Sequence, residues 1–411
     1  MLHPFARPLY VMLKPVGARC NLRCSYCYYL EKDALGRTEA AEGPVQNAPS
    51  VMSDELLQLF TRQYIEAQTM PQVLFTWHGG EPLLLPISFY RRALDWQRHY
   101  GGGRQIDNCL QTNGLLLTDE WCRFLAENHF LVGLSLDGPE WLHDACRTDS
   151  GGRPSFSRVM RGVELLRKHG VEWNAMAVVT RQTTEHPQEF YRFFRNLGCE
   201  YLQFTPVVER TTGFGAGRRL VSADDGAGEL TAESVSADGW GSFLCSVYDE
   251  WVQHDVGSLF VQTFDAVLAG WVGEVPGVCS LSALCGHAAV MECNGDVYSC
   301  DHFVFPPYRL GNIRHESLTS LLYGPAQQVF ARRKLGALPR QCRECRFLGV
   351  CHGECPKNRF LCDRYGQPGL NYLCEGYRRF FAHVAPDMDF MASELRAGRA
   401  PANIMAAKQR R

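Results

Sequence analysis

The stretch CNLRCSYCYYL, Cys20 to Leu30, sets three thiols in the order Cys20-x3-Cys24-x2-Cys27. The run LYVMLK at residues 9–14, just before it, is mostly apolar and reads as a strand. Three thiolates on one tight loop can hold three irons of a 4Fe–4S cube. The fourth iron is then left without a cysteine and can chelate a small ligand. The competing reading is three unrelated cysteines or a zinc loop, but zinc loops usually pair C-x2-C with a second pair or with histidines.

Outward from this loop, β-rich runs recur at 72–77 (QVLFTW), 106–112 (IDNCLQT), 131–136 (LVGLSL), 171–179 (VEWNAMAVV) and 200–206 (EYLQFTP). Helical patterns separate most of them, at 53–68, 118–128, 156–169 and 186–197. The first opens on Ser53, a side chain suited to an N-cap, with Asp54 and Glu55 in the first turn. Strand–helix alternation predicts an α/β fold with a parallel sheet and helices outside, an open partial (β/α)6 barrel. In such barrels chemistry collects in the loops after the strands. Residues 34–50 read as a surface loop, 211–241 as a mobile or linking segment, and 242–272 as helical. The expected domains are a barrel over 1–240, a helical connection over 241–278, a cysteine-rich domain over 279–385 and a C-terminal helical tail over 386–411.

Eighteen cysteines in 411 residues are a high count for a reducing compartment, where disulfides rarely persist and such abundance more often means metal. Ten of them fall between Cys279 and Cys374. A net charge of −2 gives no electrostatic pull on nucleic acid. No run approaches the roughly 18–20 apolar residues that span a bilayer. The N-terminus lacks the pattern of a signal peptide, so a cytoplasmic location is expected.

With Tyr26 before its last cysteine, the Cys20–Cys27 loop resembles the radical S-adenosylmethionine (SAM) superfamily. The resemblance implies that the open iron binds the amino and carboxylate groups of SAM. Reductive cleavage of SAM would then give a 5′-deoxyadenosyl radical. His78-Gly79-Gly80-Glu81-Pro82 follows the second strand. Alone it reads as a simple turn; after the triple-cysteine loop it resembles the family segment that meets the SAM amino group, with the glycines allowing close backbone approach. Gln111-Thr112-Asn113-Gly114 and Ser135-Leu136-Asp137-Gly138-Pro139 end the third and fourth strands. The resemblance makes Tyr26, Gly79, Gly80, Glu81, Gln111, Asn113, Ser135, Arg147 and Leu202 candidates for SAM contact. For each one alone, turn chemistry or core packing is the equal alternative.

The later cysteines run Cys279-x5-Cys285-x14-Cys300, then Cys342-x2-Cys345-x5-Cys351-x3-Cys355, then Cys374. Eight thiolates suffice for two fully ligated 4Fe–4S clusters, or for two structural zinc sites. The spacing resembles the SPASM domain. That resemblance implies interleaved ligation: Cys279, Cys285, Cys300 and Cys355 for auxiliary cluster I, and Cys342, Cys345, Cys351 and Cys374 for auxiliary cluster II. Cys109, Cys122, Cys146, Cys199, Cys245, Cys293 and Cys362 are assigned to no cluster.

Across nearly its whole length the chain resembles anaerobic sulfatase-maturating enzymes, through Lys14-Pro15, CSYCYYL, GGEP, QTNG, SLDGP and the eight-cysteine array. The resemblance makes Asp301, next to Cys300, the general base, where position alone would make it a turn cap. It implies oxidation of a Cys or Ser in a Cys/Ser-x-Pro-x-Arg segment of an unfolded sulfatase to formylglycine. It also implies SAM and three 4Fe–4S clusters, with a flavodoxin- or ferredoxin-type electron donor. His78 stands where the family pattern has Gln, so peptide contacts there are expected to differ. Tyr28 and Tyr29 line the substrate's approach or pack in the core. The alternatives are a SPASM maturase that cross-links a ribosomal peptide, and a non-enzymatic electron carrier or zinc-structured binding module.

Overall fold

The computed structural model describes residues 9–29, 32, 51–213, 219–222, 224–225 and 228–410. The expected surface loop at 34–50 lies outside them. Two compact units make up the fold.

The first unit takes the described residues within Met1–Ser135, Arg147–Trp173 and Cys285–Arg332. Its sheet begins with four parallel strands, β1 (Tyr10–Lys14), β2 (Gln72–Trp77), β3 (Gln105–Thr112) and β4 (Phe130–Ser135), each paired with the next. Helices α1 (Asp54–Ala67), α2 (Ile87–Tyr100), α3 (Asp119–Glu127) and α4 (Phe156–Lys168) supply the return connections. Ser53 caps α1, its Oγ accepting from the Leu56 N–H at 3.3 Å, and Thr118 caps α3 in the same way. The apolar face of α1 packs on β2. Tyr64 meets Phe75 edge-on with ring centroids 5.0 Å apart, and Trp77 meets Tyr90 at 5.4 Å. Truncating a ring such as Phe75 would cost about 3–5 kcal/mol.

The other edge of β1 holds a strand that no local pattern announces. Ala288–Glu292 runs parallel to β1 in register Tyr10↔Ala288 through Lys14↔Glu292, and two antiparallel strands, Asp296–Tyr298 and Arg309–Asn312, follow it. Residues 278 positions apart therefore pair along the strand that leads into the cysteine loop.

The second unit takes Leu136–Cys146, the described residues of Asn174–Leu284, and Arg333–Arg411. Here β5 (Trp173–Val179) pairs in parallel with β6 (Tyr201–Pro206), and Phe260–Val261 adds to β6. Helix Ala237–His254 packs against helix Cys374–Arg396 at a glycine pair. A Cβ on Gly241 would lie 2.7 Å from the Gly376 Cα, so only glycine allows this approach.

Two segments depart from expectation. The helical run at 242–272 is two helices, Ala237–His254 and Gln262–Val272. The break follows Asp255, which is held by the Tyr191 hydroxyl at 2.7 Å, and Gly257 then takes φ +87°. The segment at 211–241 is not simply a linker. Its described residues place Arg210–Thr212 between Arg219–Leu220 and Glu229–Leu230 in a small antiparallel sheet, and the next helix starts at Ala237. The fold is α/β with a mostly parallel central sheet.

Candidate active site

The cysteine loop leaves the end of β1 through a tight turn, with the Gly17 N–H on the Lys14 carbonyl at 3.1 Å. Its far side is anchored where the Arg23 N–H meets the Thr148 carbonyl at 2.7 Å. Within the loop the Leu22 N–H points at Cys20 Sγ at 3.4 Å, and the Cys27 N–H closes a turn on the Cys24 carbonyl at 3.1 Å. Burial raises the Cys20 thiol, and the Leu22 N–H partly offsets this; Cys27 lies close enough for its charge to be felt. Three thiols on one loop, with the Leu22 N–H aimed at Cys20 Sγ, fit an iron–sulfur cluster, whose thiolates are stabilised by such hydrogen bonds.

The GGEP segment packs against this loop. The Gly80 N–H donates to the Gly17 carbonyl and the Glu81 N–H to the Arg19 carbonyl, both at 2.8 Å. A Cβ on Gly80 would sit 1.9 Å from the Arg19 carbonyl oxygen. The close approach read from these glycines is thus between two protein backbones. The Glu81 side chain is held by partners within the first unit. Its carboxylate is fully buried and accepts from the Leu83 N–H (2.9 Å), the Thr112 hydroxyl (2.8 Å) and the Asn113 N–H (2.8 Å). Such full internal coordination makes Glu81 the clasp that binds GGEP to the end of β3.

Asn113 continues the clasp, donating to Asn21 Oδ1 at 2.6 Å, and approaches Cys20 Sγ at 3.8 Å. Arg147 donates to the Tyr26 hydroxyl at 2.6 Å, beside the last loop cysteine. Ser135 ends β4 and is nearly buried. Gly79, at φ +123°, accompanies Gly80. Gly80, Glu81, Asn113 and Arg147 thus bond the cysteine loop, and Ser135 lies with them in the first unit. Leu202 is buried on β6 in the second unit.

Asp301 stands in a dense charged cluster. Its carboxylate pairs with Lys14, itself fully buried, and accepts from the Tyr28 hydroxyl. Lys32 Nζ donates to the Asp301 carbonyl at 2.9 Å. Burial alone would raise the Asp301 carboxyl. Lys14 foremost, then His78, Lys32 and His302, pull it well below the usual carboxylate range. His78 is pushed down to about 4, by burial first and then by Lys14, so it is neutral near pH 7 and its pull on Asp301 operates only in acid. The Gly79 N–H donates to His78 Nδ1 at 2.8 Å, which puts the ring proton of the neutral form on Nε2. That proton faces Gln111.

Tyr28 and Tyr29 part company. Tyr28 reaches Asp301, whereas Tyr29 is core: its ring lies under Lys14 Nζ at 3.4 Å and its hydroxyl donates to Glu292 Oε2 at 2.5 Å. Lys14, Lys32 and Glu292 are site residues that sequence reading missed. A lysine closing an otherwise apolar strand, immediately before Pro15, is the one local signal among them.

In the second unit Cys342, Cys345, Cys351 and Cys374 line one pocket. Turns present them: the Cys345 N–H bonds the Cys342 carbonyl at 3.1 Å, and Cys374 opens a 23-residue helix. Burial pushes Cys351 and Cys374 each up to about 12, with the neighbouring thiols adding to it. Four such thiols around one pocket fit a fully ligated cluster, because metal binding removes the protons that burial otherwise retains. Cys279 and Cys355 also belong to the second unit, and Cys285 and Cys300 to the first. The buried Lys334 ammonium fixes the chain at Cys279, donating to the Cys279 and Ser280 carbonyls at 2.7 Å each.

Residues 15–194 match the Radical SAM superfamily, and residues 284–346 match SPASM, an iron–sulfur cluster-binding domain. The chain is 57% identical to the serine-type anaerobic sulfatase-maturating enzyme of Bacteroides thetaiotaomicron over 98% of its length and 96% of that protein. It is 36% identical to the serine-type enzyme of Klebsiella aerogenes over 92% of its length and 85% of that protein. A solved structure described as native anSMEcpe with bound AdoMet and Cp18Cys peptide superposes with a TM-score of 0.81 at 28% identity, covering 95% of this chain and all of that one. With the cysteine loop, its clasp and the C-terminal thiol pocket in this arrangement, the chain belongs to the anaerobic sulfatase-maturating enzymes, radical SAM proteins with a C-terminal SPASM domain.

Proposed function

We propose that this chain oxidises the Cβ of a Ser or Cys in a Cys/Ser-x-Pro-x-Arg segment of an unfolded sulfatase to formylglycine, with Asp301 as the base. The observation that carries the reading is the charge cluster at Asp301: a carboxylate kept ionised by Lys14, immediately after a cluster cysteine. The bound SAM and clusters supply the one-electron chemistry that removes a hydrogen atom from Cβ and accepts the electron left behind. Asp301 takes the proton from the substrate oxygen or sulfur. Lys14 and Tyr28 hold its carboxylate in place. A Ser substrate yields the aldehyde directly, and a Cys substrate yields it after loss of sulfide to water.

The reading assigns Cys20, Cys24 and Cys27 to the SAM cluster. It assigns Cys279, Cys285, Cys300 and Cys355 to auxiliary cluster I, and Cys342, Cys345, Cys351 and Cys374 to auxiliary cluster II. Tyr26, Gly79, Gly80, Gln111, Asn113, Ser135, Arg147 and Leu202 shape the SAM pocket, with Glu81 acting through the loop it clasps. Electrons come from a flavodoxin- or ferredoxin-type donor. Thiolates that hold clusters suit a reducing cytoplasm, and no helix among the described residues is long and apolar enough to cross a membrane.

The test is anaerobic incubation with SAM, reductant and a peptide carrying the motif with Ser or Cys. The expected Ser product is lighter by two hydrogens. The Cys product has lost the elements of hydrogen sulfide and gained one oxygen. Cleavage of SAM without either mass change would exclude formylglycine formation, and a thioether or carbon–carbon cross-link in its place would select the peptide-maturase alternative.

A further inference from the structure

Between Cys351 and Cys355 the chain turns through three residues of left-handed backbone, His352 (φ 48°), Gly353 (φ 71°) and Glu354 (φ 53°). That conformation is uncommon for His and Glu. Its result is to turn the Glu354 side chain inward. Glu354 is 5% exposed and lines the same pocket as Cys342, Cys345, Cys351 and Cys374. Its N–H bonds the Cys351 carbonyl at 2.8 Å. Its Oε2 accepts from Asn371 Nδ2 at 2.6 Å and from Asn358 Nδ2 at 3.5 Å, and Asn371 also reaches the Cys355 carbonyl at 3.3 Å. Neutral amides therefore hold the carboxylate, and among the described residues it makes no ion pair. The nearby Arg359 guanidinium donates to the Glu354 carbonyl, not to its side chain.

A buried carboxylate solvated only by amides is costly to keep, since burial of charge normally demands a cation. Glu354 lies in the pocket of the four auxiliary II thiols and directly precedes Cys355, and Asn371 reaches both its carboxylate and the Cys355 carbonyl. A negative charge placed beside a cluster disfavours an added electron on it.

We propose that Glu354 is a positioning and redox-tuning residue, set in chain and in space between ligands of auxiliary clusters I and II, that holds both at lower potential than their cysteines alone would give. The consequence for the reaction is that the electron taken from substrate is not trapped on the auxiliary pair. This inference rests on reading the eight C-terminal cysteines as two iron–sulfur clusters.

The experiment compares full-length, anaerobically reconstituted wild-type protein with Glu354→Gln by redox titration followed by electron paramagnetic resonance. Glutamine keeps the shape and still accepts from Asn371. Both auxiliary midpoint potentials should move positive, while that of the SAM cluster stays in place. Unmoved auxiliary potentials at wild-type iron content would overturn the proposal, as would an equal shift of all three clusters. Should Glu354→Gln load poorly, Glu354→Asp decides: it keeps the charge, so its auxiliary potentials should stay at wild-type values, and a positive shift there would equally overturn the proposal. Wild-type protein holding zinc, or iron only at the SAM cluster, would instead remove the two-cluster reading on which this rests.

Discussion

Lys14 and Asp301, 287 residues apart in the chain, form an ion pair in which the lysine is wholly buried. Lys14 ends β1, immediately before the turn into the cysteine loop, and Asp301 follows Cys300. The pair therefore ties the approach to one cluster to a proposed ligand of another. A buried ammonium without its partner is expensive, so neither member can be removed without consequence.

Lys14→Met should destabilise the fold by about 3–5 kcal/mol, the range for breaking a buried pair. It should also let the Asp301 carboxyl rise back toward the ordinary carboxylate range, because Lys14 is the foremost charge holding it down. Denaturant unfolding measures the first effect. A loss well under 1 kcal/mol would mean that water reaches the pair and screens it.

Asp301→Asn keeps the side chain's shape and removes its basicity. All clusters should assemble and SAM cleavage should persist, while formylglycine formation falls by roughly the 10²–10⁴-fold that positioned general bases contribute. The ratio of 5′-deoxyadenosine to formylglycine is the readout. A ratio unchanged from wild type would take Asp301 out of the mechanism.

Gly80→Ala tests whether the GGEP segment serves the loop or the ligand. The added methyl would meet the Arg19 carbonyl at 1.9 Å, a backbone atom that cannot swing away. The loop carrying Cys20 must shift, so iron at the SAM cluster should be lost before iron elsewhere, with about 1–3 kcal/mol of overpacking strain. Wild-type iron content combined with a raised KM for SAM would return Gly80 to a direct ligand contact.

Much of this arrangement could be read in the sequence, for identifiable reasons. Strand 72–77 and the Ser53 cap are local patterns, and both stand where expected. The cysteine spacings are local too, and the four expected at auxiliary cluster II do share a pocket. What escaped depends on pairing across the chain. Glu292 reaches the site because Ala288–Glu292 pairs with β1 in a register that puts it beside Lys14, and no periodicity encodes that register. Glu81 reads as a SAM contact from its motif, and the arrival of Thr112 and Asn113 at its oxygens is visible only in the fold.

His78 gives the chain a pH dependence. Its imidazole titrates near 4 when folded and at an ordinary 6.5 when unfolded. Between those values the unfolded chain binds a proton that the folded one refuses, so stability falls as pH drops from 6.5 to 4 and this contribution levels off below. The span corresponds to a loss on the order of 3–4 kcal/mol. His78→Gln should flatten that part of the stability curve relative to wild type in urea unfolding across the same range. Parallel curves for the two proteins would show that His78 titrates normally in the fold.

Cys24→Ala separates the two halves of the metal chemistry. Removing one of three loop thiolates leaves too few ligands for the SAM cluster, so 5′-deoxyadenosine should not form. The thiols of Cys342, Cys345, Cys351 and Cys374 all belong to the second unit, whereas Cys24 belongs to the first. On the three-cluster reading the variant should retain about eight of about twelve irons, the complement of two clusters out of three. Cys285 and Cys300 belong to the first unit with Cys24, so retention of only about four irons would mean that auxiliary cluster I assembles only after the SAM cluster, and loss of all iron that both auxiliary clusters do.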